Sequence, residues 1–137
     1  MLTLIFDLDN TIYPVSSISD KLFPPLFAIL ARPEYALDEP TIRAAKQEIM
    51  RRPFQKVAEA FGFPEPLVQE SLNLLRNMTY EEPMTCFEDY DDLRRIPAGR
   101  FLVTSGFLKL QQSKIRQVQI RNDFQEMFII DPDSAPK

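Results

Sequence analysis

The chain has 137 residues, 45% of them hydrophobic, with 16 Lys and Arg against 20 Asp and Glu and a net charge of −4. This is the size of one domain with a real core, and the acidic balance gives no electrostatic surface for nucleic acid or an anionic membrane. There is no histidine, which excludes Ser-His-Asp and Cys-His nucleophiles, and the single cysteine, Cys86, excludes an intrachain disulfide.

The first ten residues carry no Lys or Arg, and no apolar stretch approaches the roughly 20 residues needed to span a bilayer. We therefore expect no signal peptide, no membrane partner and a reducing, cytoplasmic setting. Cys86 is expected to be a buried or half-buried apolar residue.

The first predicted element is a strand over residues 2–6. This run is apolar without polar alternation, which is typical of a strand covered on both faces in a parallel sheet. From Pro14 onward the pattern changes to helical spacing. The predicted helices cover residues 16–31, kinked or split at Pro24 and Pro25; residue 38 or 39 to before Pro53; 54–61, closed by Gly62; and about 66–77.

The second half of the chain reads as alternating helices and strands. "EDYDDLRRIP" (88–97) predicts a short helix with a solvated acidic face, and "FLVTSG" (101–106) predicts a second strand. A helix over 108–118 and a third strand, "MFII" (127–130), complete a βαβ unit, so these two strands should be parallel. The predicted fold class is α/β, with a Rossmann-like parallel sheet interrupted by helices.

Polar side chains follow two of the predicted strands. Asp7 and Asp9 come just after the first, and Thr104 and Ser105 end the second. Ligands of open parallel sheets bind beyond the carboxyl ends of the strands, so these residues should meet. Two converging carboxylates need a counter-charge, and Mg²⁺ prefers oxygen ligands.

This arrangement fits phosphoryl transfer. Asp7 could attack phosphorus and form an aspartyl-phosphate, and Asp9 could act first as acid and then as base. The Thr104 hydroxyl and N–H could bind a phosphoryl oxygen.

"FDLDNTIYP" resembles the first motif, DxDx[TV], of the haloacid dehalogenase-like (HAD) hydrolases. "FLVTSGF" is similar to their second motif, and "FQEMFIIDPDSAPK" to the stretch leading to the third. The resemblance implies that Asp7 is the nucleophile and Asp9 the acid/base. It also implies Mg²⁺ bound by the Asp7 carboxylate and the Asp9 carbonyl, Thr104 and Ser105 as substrate-binding residues, and Lys137 as the third-motif lysine.

The resemblance also implies the domain organisation. Residues 1–14 and 84–137 would form the truncated α/β core, and residues 15–83 an inserted α-helical cap. Lys109 and Lys114, on the helix after the second motif, are rivals of Lys137, but we expect both to be solvated helix charges.

The family's fourth motif, an acidic pair that completes the Mg²⁺ shell, has no counterpart in this sequence. In the family's strand order the first strand would then have an open apolar edge, which invites pairing. A truncated product, a chain completed by a partner or by self-pairing, and a piece of a longer protein all remain open. A homo-oligomer through the first strand is one expectation.

The function that the resemblance implies is a Mg²⁺-dependent phosphatase acting on a small phosphorylated metabolite. The second carboxylate, Asp9, favours this over a dehalogenase. The alternative is a truncated, catalytically weak or inactive HAD-like protein that acts through association.

Overall fold

The computed structural model describes residues 2–134, and the strands in this part of the chain form one parallel sheet. Their spatial order is β1-β2-β3, which places β1 at an edge of the sheet in the described chain. Leu4 lies beside Arg100, and Val103 beside Phe128. The strands are β1 (Thr3–Phe6), β2 (Gly99–Ser105) and β3 (Glu126–Ile130).

The helices follow the predicted order closely. They are α1 (Ser19–Leu22), α2 (Pro24–Leu30), α3 (Glu39–Ile49), α4 (Phe54–Phe61), α5 (Glu65–Asn77), α6 (Tyr90–Arg94) and α7 (Leu108–Val118). Six of them, α1–α6, lie between β1 and β2, and the first five, α1–α5, are called the inserted helices below. Because α7 joins the parallel neighbours β2 and β3, the predicted βαβ unit is confirmed, and the fold class is α/β.

Local sequence explains where these helices begin and end. The predicted split at the proline pair is confirmed, since Phe23 ends α1 and Pro24 starts α2. The Asp38 carboxylate caps α3 by accepting from the Thr41 N–H at 2.9 Å. Helix α4 ends at Gly62, whose φ of +62° is the left-handed conformation that favours glycine.

The prediction that the first strand is covered on both faces is wrong. Ile5 is 70% exposed, and Phe128 (47%) and Ile130 (48%) are exposed on the same face of the sheet. A continuous apolar run predicts burial on both faces only where helices cover both. In residues 2–134, the buried side chains of the sheet lie on its opposite face.

The core lies between that other face and the helices. Leu102 and Thr104 of β2 are 0% and 1% exposed, and α7 buries one side against the sheet. Cys86 is half-buried, as expected. None of the helices in residues 2–134 combines the length and apolar character needed to span a bilayer. Fully buried side chains include Leu8, Tyr13, Leu26, Leu30, Leu67 and Leu102.

Candidate active site

The loop after β1 holds two acidic residues on either side of a buried anchor. Leu8 is fully buried, and Asp7 and Asp9 flank it. Asn10 has a φ of +60°, a conformation that asparagine tolerates better than most residues, and its Oδ1 accepts from the Val15 N–H at 2.8 Å. Because Leu8 points into the core, its two acidic neighbours are held at the surface end of the strand.

The Asp9 carboxylate is held by three hydrogen-bond donors. Lys114 Nζ lies 2.9 Å from Oδ1, and Gln111 Nε2 lies 3.0 Å from Oδ2. The hydroxyl of Tyr13, a fully buried residue, donates to Oδ1 as well. Donors on both oxygens fix the orientation of this carboxylate.

These donors also set the protonation of Asp9. Burial pushes the pKa of the carboxyl upward, but the Lys114 charge and the hydrogen bonds from Tyr13, Lys114 and Gln111 outweigh it, so the pKa lies below its usual value. Burial and the neighbouring Asp9 charge raise the pKa of the Tyr13 hydroxyl, which therefore stays a donor. The pair is an ionised carboxylate with a neutral phenol.

The second strand supplies its polar residues at the same end. Thr104 is buried, and its Oγ1 lies 2.8 Å from Gln111 Nε2, so it is linked to Asp9 through Gln111. Ser105 is exposed. The remaining predicted substrate-binding residue, Lys137, lies outside the described residues. The structure therefore brings together four of the five predicted site residues.

The expectation that Lys114 is a solvated helix charge is wrong. Its residue exposure is 5%, and it forms the ion pair with Asp9; Lys109, by contrast, is exposed as expected. A signal was present in the sequence. Lys114 lies four residues from both Leu110 and Val118, and so belongs to the apolar stripe of α7. A lysine in that stripe needs a buried carboxylate as its partner.

A cavity of about 400 Å³ joins the strand ends to the inserted helices. Asp7, Asp9 and Ser105 line it, together with Gln111 and Lys114. Apolar side chains from both parts of the chain form its wall, among them Val15, Phe23, Leu26, Ile49, Phe54 and Phe107. The cavity therefore has a charged end at the strand ends and an apolar wall.

Two contacts connect the inserted helices to the loops after β1 and β3, which lie beside this cavity. Asn10 Nδ2 donates to the carbonyl of Met50, just after α3, at 3.2 Å. On the other side, Arg76 of α5 forms a bidentate pair with Asp133, at 2.6 and 3.1 Å, and its guanidinium lies over the Phe107 ring.

The oxygen atoms at this site suit the ligand set of a hydrated magnesium ion. Mg²⁺ commonly uses one or two carboxylates with waters and substrate oxygens, and within residues 2–134 the exposed Asp7 carboxylate has one hydrogen bond, from the Leu8 N–H at 2.7 Å. Asp131, after β3, already accepts from the N–H groups of Leu108 and Asp133. Within residues 2–134 no three acidic, histidine or cysteine side chains form a cluster able to hold a metal.

This chain has the haloacid dehalogenase-like fold. No protein-family model matches it, and no curated protein sequence does either. The similarity is to solved structures. The HAD hydrolase YfnB from Bacillus subtilis, bound to magnesium, is 18% identical, with a TM-score of 0.52 over 93% of this chain and 63% of that one.

Two further structures are more distant. A haloacid dehalogenase-like hydrolase from Xanthomonas campestris is 14% identical (TM-score 0.49, 95% of this chain and 61% of that one). L-2-haloacid dehalogenase from Xanthobacter autotrophicus is 15% identical (TM-score 0.46, 98% and 58%). This chain thus spans about three fifths of the length of these structures.

Proposed function

We propose that this chain belongs to a HAD-like phosphohydrolase that cleaves a small phosphomonoester through an aspartyl-phosphate. The observation that carries the proposal is the pairing at the end of β1: Asp7 is exposed and lightly hydrogen-bonded, while Asp9, two residues on, is held by Tyr13, Gln111 and Lys114. One carboxylate is free to react, and the other is fixed for proton transfer. The cytoplasmic setting expected from Cys86 belongs to the same proposal.

In the first half-reaction an Asp7 carboxylate oxygen attacks phosphorus and forms a new P–O bond, while the bond to the leaving oxygen breaks. Asp9 gives its proton to that leaving oxygen. Asp9 is ionised in the structure, so in this proposal it takes up a proton when the phosphomonoester binds, because the negative charge of the ester raises the pKa of a neighbouring carboxyl. Thr104, Ser105 and Lys114 would hold the phosphoryl oxygens.

In the second half-reaction water attacks the phosphorus of the aspartyl-phosphate, and Asp9 accepts the water proton. Phosphate leaves and Asp7 is restored. Asp9 is available to accept this proton because it is ionised in the structure: burial raises its pKa, but the Lys114 charge and the hydrogen bonds from Tyr13, Lys114 and Gln111 outweigh burial. The apolar cavity wall would limit the entry of other water molecules.

Mg²⁺ is the cofactor in this proposal, held by Asp7 and Asp9, the latter through its carbonyl. When bound, it would neutralise phosphoryl charge and orient the phosphate group. Residues 15–83 would serve as a helical cap over the site, and residues 1–14 and 84–137 as its α/β core. The lining of the cavity by both parts supports this division.

The test is hydrolysis of p-nitrophenyl phosphate by the purified chain with and without Mg²⁺, beside Asp7→Asn. We expect Mg²⁺-dependent turnover that disappears in the variant. Equal turnover by the two proteins would remove Asp7 from the nucleophile role, and no turnover by the wild-type chain at any Mg²⁺ concentration would refute the proposal for this chain.

A second candidate function is association without catalysis. It is favoured by the open face of the sheet, where Ile5, Phe128 and Ile130 are exposed. In this case the chain would bind a second copy or another protein, and the hydrolysis test above would give no turnover.

A further inference from the structure

Gln111 is a buried side chain that joins the two strand ends of the candidate site. It lies on α7, is 2% exposed, and contacts Asp9 and Thr104 at 3.0 and 2.8 Å through the same atom, Nε2. Nothing in the sequence motifs pointed to it. The chain also leaves space for it, because a Cβ at Gly106 would lie only 2.8 Å from Gln111 Cγ and Cδ.

The chemistry of the partners fixes the direction of both hydrogen bonds. An ionised carboxylate only accepts, so the amide atom that faces Asp9 is the nitrogen. A primary amide nitrogen has two N–H groups, and Gln111 uses one for Asp9 Oδ2 and the other for Thr104 Oγ1. The Thr104 oxygen therefore accepts, and its own O–H is left to donate to another group.

We propose that Gln111 is a positioning residue, which makes the Thr104 hydroxyl a hydrogen-bond donor to the substrate phosphoryl group and holds the Asp9 carboxylate in place. A threonine whose hydroxyl proton pointed at an acceptor in the protein could offer a phosphoryl oxygen only lone pairs, which repel it. Gln111 prevents that arrangement by occupying the oxygen with an N–H. This inference rests on the proposed phosphohydrolase function.

The first measurement compares Gln111→Met with Gln112→Met. Methionine is close to glutamine in length but has no N–H donor, and Gln112 is an exposed neighbour on α7. We expect kcat/KM to fall by roughly 10- to 100-fold in Gln111→Met, as with other partners that orient a reacting group, and to stay unchanged in Gln112→Met. The kcat/KM of Gln111→Glu, which presents an acceptor to Thr104, should fall by as much.

A double-variant cycle separates positioning from packing. If Gln111 acts through the Thr104 hydroxyl, adding Gln111→Met to Thr104→Val should cost much less than the product of the two single losses. In a Thr104→Ser background, which keeps the hydroxyl, the Gln111→Met loss should keep its full size. Independent, multiplicative losses in the Thr104→Val cycle would overturn the role of Gln111 through Thr104, and unchanged kcat/KM in Gln111→Met would overturn both roles.

Binding of inorganic phosphate, measured by calorimetry, gives a readout that does not need turnover. Gln111→Met should weaken phosphate binding by roughly tenfold, and Gln112→Met should leave it unchanged. Phosphate binding by a wild-type chain that turns over no ester would refute the proposed function, and the variant affinities would then decide the role of Gln111. Equal affinity in both variants overturns that role, and a wild-type chain that binds no phosphate overturns both. If the thermal midpoint shows that Gln111→Met does not fold, Gln111→Asn, which is one methylene shorter and adds no charge beside Asp9, takes its place in each comparison.

Discussion

Lys114 Nζ lies 2.9 Å from Asp9 Oδ1, a contact between residues 105 positions apart whose side chains are 7% and 30% exposed. It joins the loop after β1 to the helix after β2. Since few charged side chains in residues 2–134 are so well buried, this ion pair is the clearest place to test how the site is held together.

Lys114→Met should destabilise the protein. The substitution leaves the partly buried Asp9 without its cation, and loss of a hydrogen bond to a charged group costs about 1.5–3 kcal/mol. Lys109→Met, on an exposed position of the same helix, should change the free energy of unfolding by less than about 0.5 kcal/mol. Urea unfolding at pH 7 measures both. Equal effects in the two variants would show that the ion pair does not stabilise the fold.

The effect of Lys114→Met should depend on pH. In the wild type, burial raises the Asp9 pKa, but Lys114 and the donors Tyr13 and Gln111 outweigh it, so the folded pKa lies below the unfolded one. Asp9 therefore contributes stability that is complete above its unfolded pKa of about 3.9 and is lost as the pH falls through the folded value. In Lys114→Met the burial remains without the cation, so the pKa rises and the carboxyl becomes neutral at higher pH.

The difference in free energy of unfolding between wild type and Lys114→Met should therefore be largest near pH 7 and should narrow toward pH 4. The double variant Asp9→Asn/Lys114→Met is the control, because it has no carboxyl to titrate. If the difference in free energy of unfolding stayed constant between pH 7 and pH 4, Asp9 would not be the titrating partner of Lys114.

Asp7→Asn should remove activity and keep the fold. An amide cannot attack phosphorus, so turnover should fall by roughly 10⁴-fold or more, while the amide oxygen can still accept from the Leu8 N–H. Asp20→Asn, at an exposed position of α1, should keep full activity. The thermal midpoint of Asp7→Asn, measured by circular dichroism, should equal or exceed that of the wild type, because one of two neighbouring carboxylates becomes neutral.

Mg²⁺ should bind weakly to this chain in the absence of substrate. Asp7 is the exposed carboxylate of the cavity, the Asp9 carboxylate is occupied by its donors, and Mg²⁺ gives up water reluctantly. A calorimetric titration should show no submicromolar site. Tight binding that survives Asp7→Asn would mean that a different acidic group holds the ion.

The chain should self-associate through β1. Within the described residues this strand has an unpaired edge, and Leu2 (56%) and Ile5 (70%) are exposed beside it. We propose a homodimer or a higher oligomer, to be measured by sedimentation at micromolar concentration. Ile5→Lys should yield the monomer, and Phe87→Lys, at an exposed apolar position outside the sheet, should not. A well-folded wild-type monomer would refute this prediction.

Local signals in the sequence were enough to predict most element boundaries. Helix α4 was predicted at 54–61 because Pro53 and Gly62 mark its ends, and α7 at 108–118 because its apolar spacing is regular. The convergence of Asp7, Asp9 and Ser105 was predicted by the rule that parallel strands present their carboxyl ends at one edge.

What the sequence did not predict depends on packing between distant segments. The open face at Ile5 follows from which side of the sheet the helices cover, and no local pattern encodes that choice. The burial of Gln111 and Lys114 likewise requires Asp9 to lie opposite α7, more than 100 residues away along the chain. Polar residues within an apolar helical stripe were the available signal.

The two contacts that connect the inserted helices to the loops after β1 and β3 differ in physical kind. The Asn10–Met50 hydrogen bond is neutral, whereas Arg76–Asp133 is an exposed ion pair that dissolved salt screens. Rising ionic strength should therefore weaken the Arg76–Asp133 contact between α5 and the loop after β3, while the Asn10–Met50 contact keeps its strength.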